Sequence, residues 1–95
     1  MTYYRNQKLY VKSADNQYDE KSPYGLIQFI SNYEGGVIMQ VKLFIYSELC
    51  EAHLIEDEPL SLTEEQLSRQ FITESDYKII MRDNKIKSIL HFKHT

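Results

Sequence analysis

Gly25–Tyr33 (GLIQFISNY) and Val37–Tyr46 (VIMQVKLFIY) are separated only by Glu34-Gly35-Gly36. Both runs are rich in β-branched and aromatic residues, and the glycine-bearing linker has the length and composition of a hairpin turn. In the second run Val37, Met39, Val41, Leu43 and Ile45 fall at every other position, which places them on one face of a strand. A helix would scatter them around its circumference. The opposite face reads Ile38, Gln40, Lys42, Phe44, Tyr46, polar in the middle and apolar at both ends. A central antiparallel hairpin follows, with the five alternating residues expected in the core.

Working outward, Gln7–Lys12 reads as a strand, and the polar, turn-rich Ser13–Pro23 as a surface loop. Ser47–Ile55 suits either a short helix capped by Ser47 or a strand after a bend, and Glu56-Asp57-Glu58-Pro59 ends it. Thr63 carries the signature of a helix N-cap. Gln66 completes a capping box, Leu62 and Leu67 form a hydrophobic staple, and Glu64 and Glu65 occupy the first turn, where the helix dipole favours negative charge. Leu67 and Phe71 form the apolar side of this two-turn helix, which Ile72 and Thr73 close. Asp76–Arg82 and Lys85–Lys93 flank Asp83-Asn84, a pair tolerant of positive φ, and read as a second hairpin. The expected architecture over residues 1–95 is one small α+β domain. It has a mainly antiparallel β-sheet made of two hairpins plus an N-terminal strand, and one or two short helices on one face.

The 95 residues are enough for one domain, with little room for a deep cavity. A hydrophobic fraction of 42% beside 26% charged residues is that of a folded globular chain. One cysteine rules out an internal disulfide, and no apolar run approaches the roughly 20 residues of a membrane helix. With no secretory pattern in MTYYRNQKLYVK, a cytoplasmic location is expected. The net charge of −3 is small but unevenly spread. Leu43–Ser68 contains no Lys or Arg, yet carries Glu48, Glu51, Glu56, Asp57, Glu58, Glu64 and Glu65.

Chemistry-bearing motifs are sparse. Cys50-x-x-His53 and His91-x-x-His94 supply four zinc-type ligands, but residues three apart on a strand point to opposite faces. No metal or cofactor is expected. Cys50 lacks a nucleophile motif and is read as a small buried residue, so no catalytic residue is assigned. Gly35-Gly36 has no phosphate-loop partners. Lys78, Arg82, Lys85 and Lys87 read as a solvated face, and the acidic balance opposes direct nucleic-acid binding.

Two features ask for a partner. The acidic run from Glu48 to Glu65 could steer the chain onto a basic protein surface. Ile38, Phe44 and Tyr46 would lie bare on the second face of their strand unless a helix covers them. The expectation is a non-enzymatic protein-binding module, an inhibitor or immunity-type protein that occludes a basic, nucleic-acid-processing partner. Its partner-binding residues would be Glu48, Glu51, Glu56, Asp57, Glu58, Glu64, Glu65, Phe44 and Tyr46. The rival is a homodimeric accessory protein that pairs through an exposed strand face or sheet edge.

Overall fold

The computed structural model describes residues 3–93, with the side chains of 87–93 excepted. The elements run β1 (Lys8–Val11), β2 (Tyr24–Tyr33), β3 (Gly36–Ser47), β4 (Ala52–Ile55), β5 (Leu60–Thr63), α1 (Glu64–Gln70), β6 (Phe71–Thr73) and α2 (Glu74–Lys93). Every strand pairing is antiparallel, so the α+β class read from the sequence holds.

The β2–β3 hairpin is the centre of the sheet, with Tyr33 opposite Gly36 at its turn and Tyr24 opposite Phe44 at its far end. β1 lies beside β2, and β6 returns to pair with the outer side of β1. The other edge of the 12-residue β3 is shared: β4 pairs with Phe44–Ser47 and β5 with Ile38–Val41. Between them the edge chain gains two residues on β3. Leu43 accepts from the Glu56 N–H at 2.8 Å, whereas Val41 already faces Leu60. The acidic Glu56–Pro59 stretch is therefore a bulge in a single interrupted edge strand.

α1 joins the two extremes of this sheet, since β5 precedes it and β6 follows it. A flat sheet would hold those edges roughly 19 Å apart, at about 4.8 Å per strand step. Seven helical residues span only about 10 Å. The sheet must curl to meet its helix, and the core fills the inside of that curl. Leu9, Ile27, Met39, Val41, Leu62, Leu67 and Phe71 are buried there, with Val37 and Leu43 packed against them. Gly25 sits at the tightest point, where an added Cβ would meet Val41 Cγ1 at 2.6 Å. The Leu62–Leu67 staple lies wholly within this core, and Thr63 forms both halves of the capping box with Gln66. The helix closes one residue earlier than the Leu67–Phe71 spacing predicts. Phe71 is its extended C-cap and the first residue of β6.

The structure corrects three expectations. Ile45 continues the alternation of β3 but is 42% exposed, because α1 covers the middle of the strand and not its end. Cys50 is exposed in the β3–β4 turn instead of buried. The C-terminal hairpin does not form, because Glu74–Lys93 is one helix. Asp76 N–H donates to Thr73 Oγ1 at 3.2 Å, Glu74 and Asp76 occupy the first turn, and Glu74 lies 3.9 Å from Lys78 one turn on. The half-buried residues Tyr77, Ile80, Met81 and Asn84 follow helical spacing, while Ile79, expected to share a strand face with Tyr77, points to solvent.

Candidate functional site

The outer face of the sheet carries a row of rings running from α2 to β4. Tyr77 stacks on Tyr10 with centroids 3.8 Å apart, and Tyr10 is tilted against Tyr24. Tyr24 stacks on Phe44 at 4.9 Å, and His53 packs against both Tyr24 and Tyr46. The register dictates most of this, since Tyr10, Tyr24, Phe44 and Ile55 are successive cross-strand partners on β1, β2, β3 and β4. Lys8 Nζ lies 4.3 Å from the Tyr24 centroid and Lys21 Nζ 5.2 Å from that of Tyr46.

The Ser13–Pro23 loop seals the end of the row. Tyr18 is buried against the edge of Tyr77 and accepts a hydrogen bond from Ser13 N–H at 3.0 Å. Tyr77 donates its hydroxyl to the Asp19 carbonyl at 3.3 Å, and burial pushes its pKa above the ordinary tyrosine value. His53 Nε2 lies 2.9 Å from the Ser22 carbonyl, which can only accept, so that nitrogen carries the proton. Phe44 and Tyr46, expected to lie bare, are thus half-buried parts of a scaffold, held by rings from β2 and β4 rather than by a helix.

The acidic residues do not form one patch. Glu48 and Glu51 lie in the β3–β4 turn, Glu56, Asp57 and Glu58 in the bulge, and Glu64 and Glu65 beyond the far end of β5. The pairs Ser47–Ala52 and Ile38–Thr63 mark the two ends of this edge. Nine strand steps separate them, roughly 30 Å at about 3.3 Å each, several times the screening length at physiological salt. Glu64 and Glu65 serve α1 instead, as first-turn carboxylates, and Glu65 pairs with Arg69 one turn on.

The five carboxylates at the near end surround something the sequence did not disclose. Ile45 and Leu54 are directly opposed on β3 and β4, on the side beyond the reach of α1. Leu54 is 48% exposed and Leu49, at the tip of the turn, 96% exposed. Glu48 and Glu51 flank this apolar pair at one end of β4, and Glu56, Asp57 and Glu58 at the other. Lys21 reaches Glu48 at 3.3 Å across the turn, which raises the lysine pKa. Among the described residues, no ion pair reaches Glu51, Glu56, Asp57 or Glu58. Nor does any strand among the described residues pair with the outer edge of β4.

Cys50 Nα–H donates to Ser47 Oγ at 3.2 Å, and the thiol faces solvent. Surface clefts of about 510 Å³ beside Tyr18 and Met81 and about 400 Å³ beside Asn16 and Ile80 are lined by neither Cys50 nor a histidine. Among the described residues no three His, Cys, Asp or Glu side chains gather as metal ligands. His91 and His94 lie outside the described side chains. None of the described helices is long and apolar enough to cross a membrane. The chain matches no family model, and no curated protein or solved structure matches it.

Proposed function

We propose that this chain is a non-enzymatic protein-binding module that docks a basic partner through the β3–β4 end of its sheet. The observation that carries the reading is the exposed Ile45–Leu54 pair with Leu49, framed by carboxylates at both ends of β4. An apolar centre inside a charged rim is the usual anatomy of a protein interface. The sign of the rim selects the partner, since carboxylates steer encounter with Lys- or Arg-rich surfaces and penalise acidic ones. Basic surfaces belong above all to proteins that handle nucleic acids, and an inhibitor of such a protein would work by covering that surface. The same rim disfavours the homodimer, because two copies meeting along β4 would bring like charges together.

The test is affinity capture from native extract at low salt, with elution by rising salt, followed by kinetics on the captured partner. Reversing Glu56, Asp57 and Glu58 to Lys should slow association at least tenfold and flatten its salt dependence. Folding should be unaffected, because all three side chains are exposed. Unchanged kinetics in the triple variant would defeat the proposal.

A further inference from the structure

The β4 backbone offers more than a surface. Leu43 and Glu56 form a hydrogen-bonded pair, and in an antiparallel ladder such pairs recur at every second residue. The register then makes Ile45–Leu54 and Ser47–Ala52 the next bonded pairs. His53 and Ile55 must therefore turn their N–H and C=O groups away from β3, toward the open side of the sheet. The described sheet ends there, so these four groups have no ladder partner. The edge is also held in place from behind, since the His53 side chain is tied to Ser22 and packed between Tyr24 and Tyr46.

We infer that β4 accepts an extended segment of the partner as an added antiparallel strand, bonded to His53 and Ile55 and flanked by Lys or Arg at both ends. This rests on the docking surface proposed above and specifies how it is used. Main-chain bonds from a rigid edge supply affinity in this mode, and alternate side chains supply selectivity. One set of the incoming side chains would lie beside Leu54 and cover the Ile45–Leu54 pair. The basic flanks would meet Glu48 and Glu51 at one end and Glu56, Asp57 and Glu58 at the other. The bulge limits the site to the four residues of β4, because the ladder is broken between Glu56 and Leu60.

The test uses a synthetic peptide, Lys-Lys-Val-Thr-Val-Thr-Val-Lys-Lys, titrated against the full chain by fluorescence anisotropy. Three comparison peptides carry Glu flanks, N-methylated amides at alternate core positions, or a scrambled core. The Lys-flanked peptide should bind at least tenfold tighter than the Glu-flanked and N-methylated forms. Ile55→Pro is the decisive variant, because proline removes an outward N–H while leaving the bonds between β3 and β4 intact. It should weaken the peptide tenfold or more, with circular dichroism and the urea midpoint showing the fold preserved. Ile55→Val keeps the amide and should bind as the parent does, which separates the backbone from the side chain. Equal binding of the N-methylated peptide, or an Ile55→Pro variant that binds as the parent does, overturns strand addition. Such a result leaves the docking surface standing, since that is judged by charge reversal on the captured partner. Concentration-dependent dimerisation of the chain alone, abolished by Ile55→Pro, would assign the edge to a second copy and overturn the inference.

Discussion

Leu67 tests the curled sheet most directly. It is the one buried residue of α1 and is fully excluded from solvent, at the point where the helix closes the inside of the curl. Leu67→Ala removes three carbons' worth of burial, about 2.4 kcal/mol at about 0.8 kcal/mol per methylene. The cavity left behind adds to this, because β3, β5 and β6 are held by their own ladders and cannot collapse onto an alanine. Leucine-to-alanine changes in rigid cores cost about 2.7–5.0 kcal/mol, and the upper half of that range is expected here. A domain of this size has roughly 5–14 kcal/mol in total, so the variant should lose about a quarter or more of its stability. Urea unfolding would show this as a midpoint lower by at least about 1 M, at m near 1–3 kcal/mol per M. Ile45→Ala, on the same sheet face but 42% exposed, should cost only about 1–1.5 kcal/mol. A Leu67→Ala cost no larger than that of Ile45→Ala would refute the idea that α1 seals the core.

Gly25→Ala should destabilise by about 1–3 kcal/mol in the same assay, because the new methyl meets Val41 and Phe71 and one of them must move. Thr63→Ala should cost about 0.5–2 kcal/mol through the lost acceptor for Gln66 N–H, and a neutral result would show that the cap is dispensable. Tyr77 has a folded-state pKa raised chiefly by burial, so its contribution is intact below about pH 10 and lost as pH rises through the folded value. Urea titrations at about pH 8 and pH 11 should therefore show an alkaline loss of stability that is smaller in Tyr77→Phe.

The parts of the fold legible in the sequence were those specified by neighbours. The β2–β3 hairpin announces itself through strict alternation and a Gly-Gly turn, and the α1 cap through two side chains that bond each other's backbone. The C-terminal helix reads as a hairpin in the sequence because Tyr77, Ile79 and Met81 satisfy a period of two, while Tyr77, Ile80, Met81 and Asn84 satisfy 3.6 equally well. Thr73-x-x-Asp76 was a usable start signal, and Asp83-Asn84 drew the reading toward a turn. The site was less legible for a different reason. Whether Ile45 and Leu54 are covered depends on where a seven-residue helix stops over a 12-residue strand, and no local pattern encodes that. The carboxylates were visible as a run, but their division between a turn, a bulge and a helix cap follows from register alone.

The pairing of β6 with β1 sets the order in which this chain can be made and folded. Leu9 finds Thr73 only after a loop of roughly 60 residues has closed, which carries a far larger entropic cost than the two-residue turn of the central hairpin. Contacts of that range are the slow ones in small proteins. As the chain leaves the ribosome, β2 and β3 can zip at once, and β1 can join them, but the outer side of β1 stays unpaired until α1 and β6 have emerged. During that interval the nascent protein has open edges at both β1 and β4. A chain truncated before Phe71 would keep both for good, and should aggregate in proportion to how long it survives.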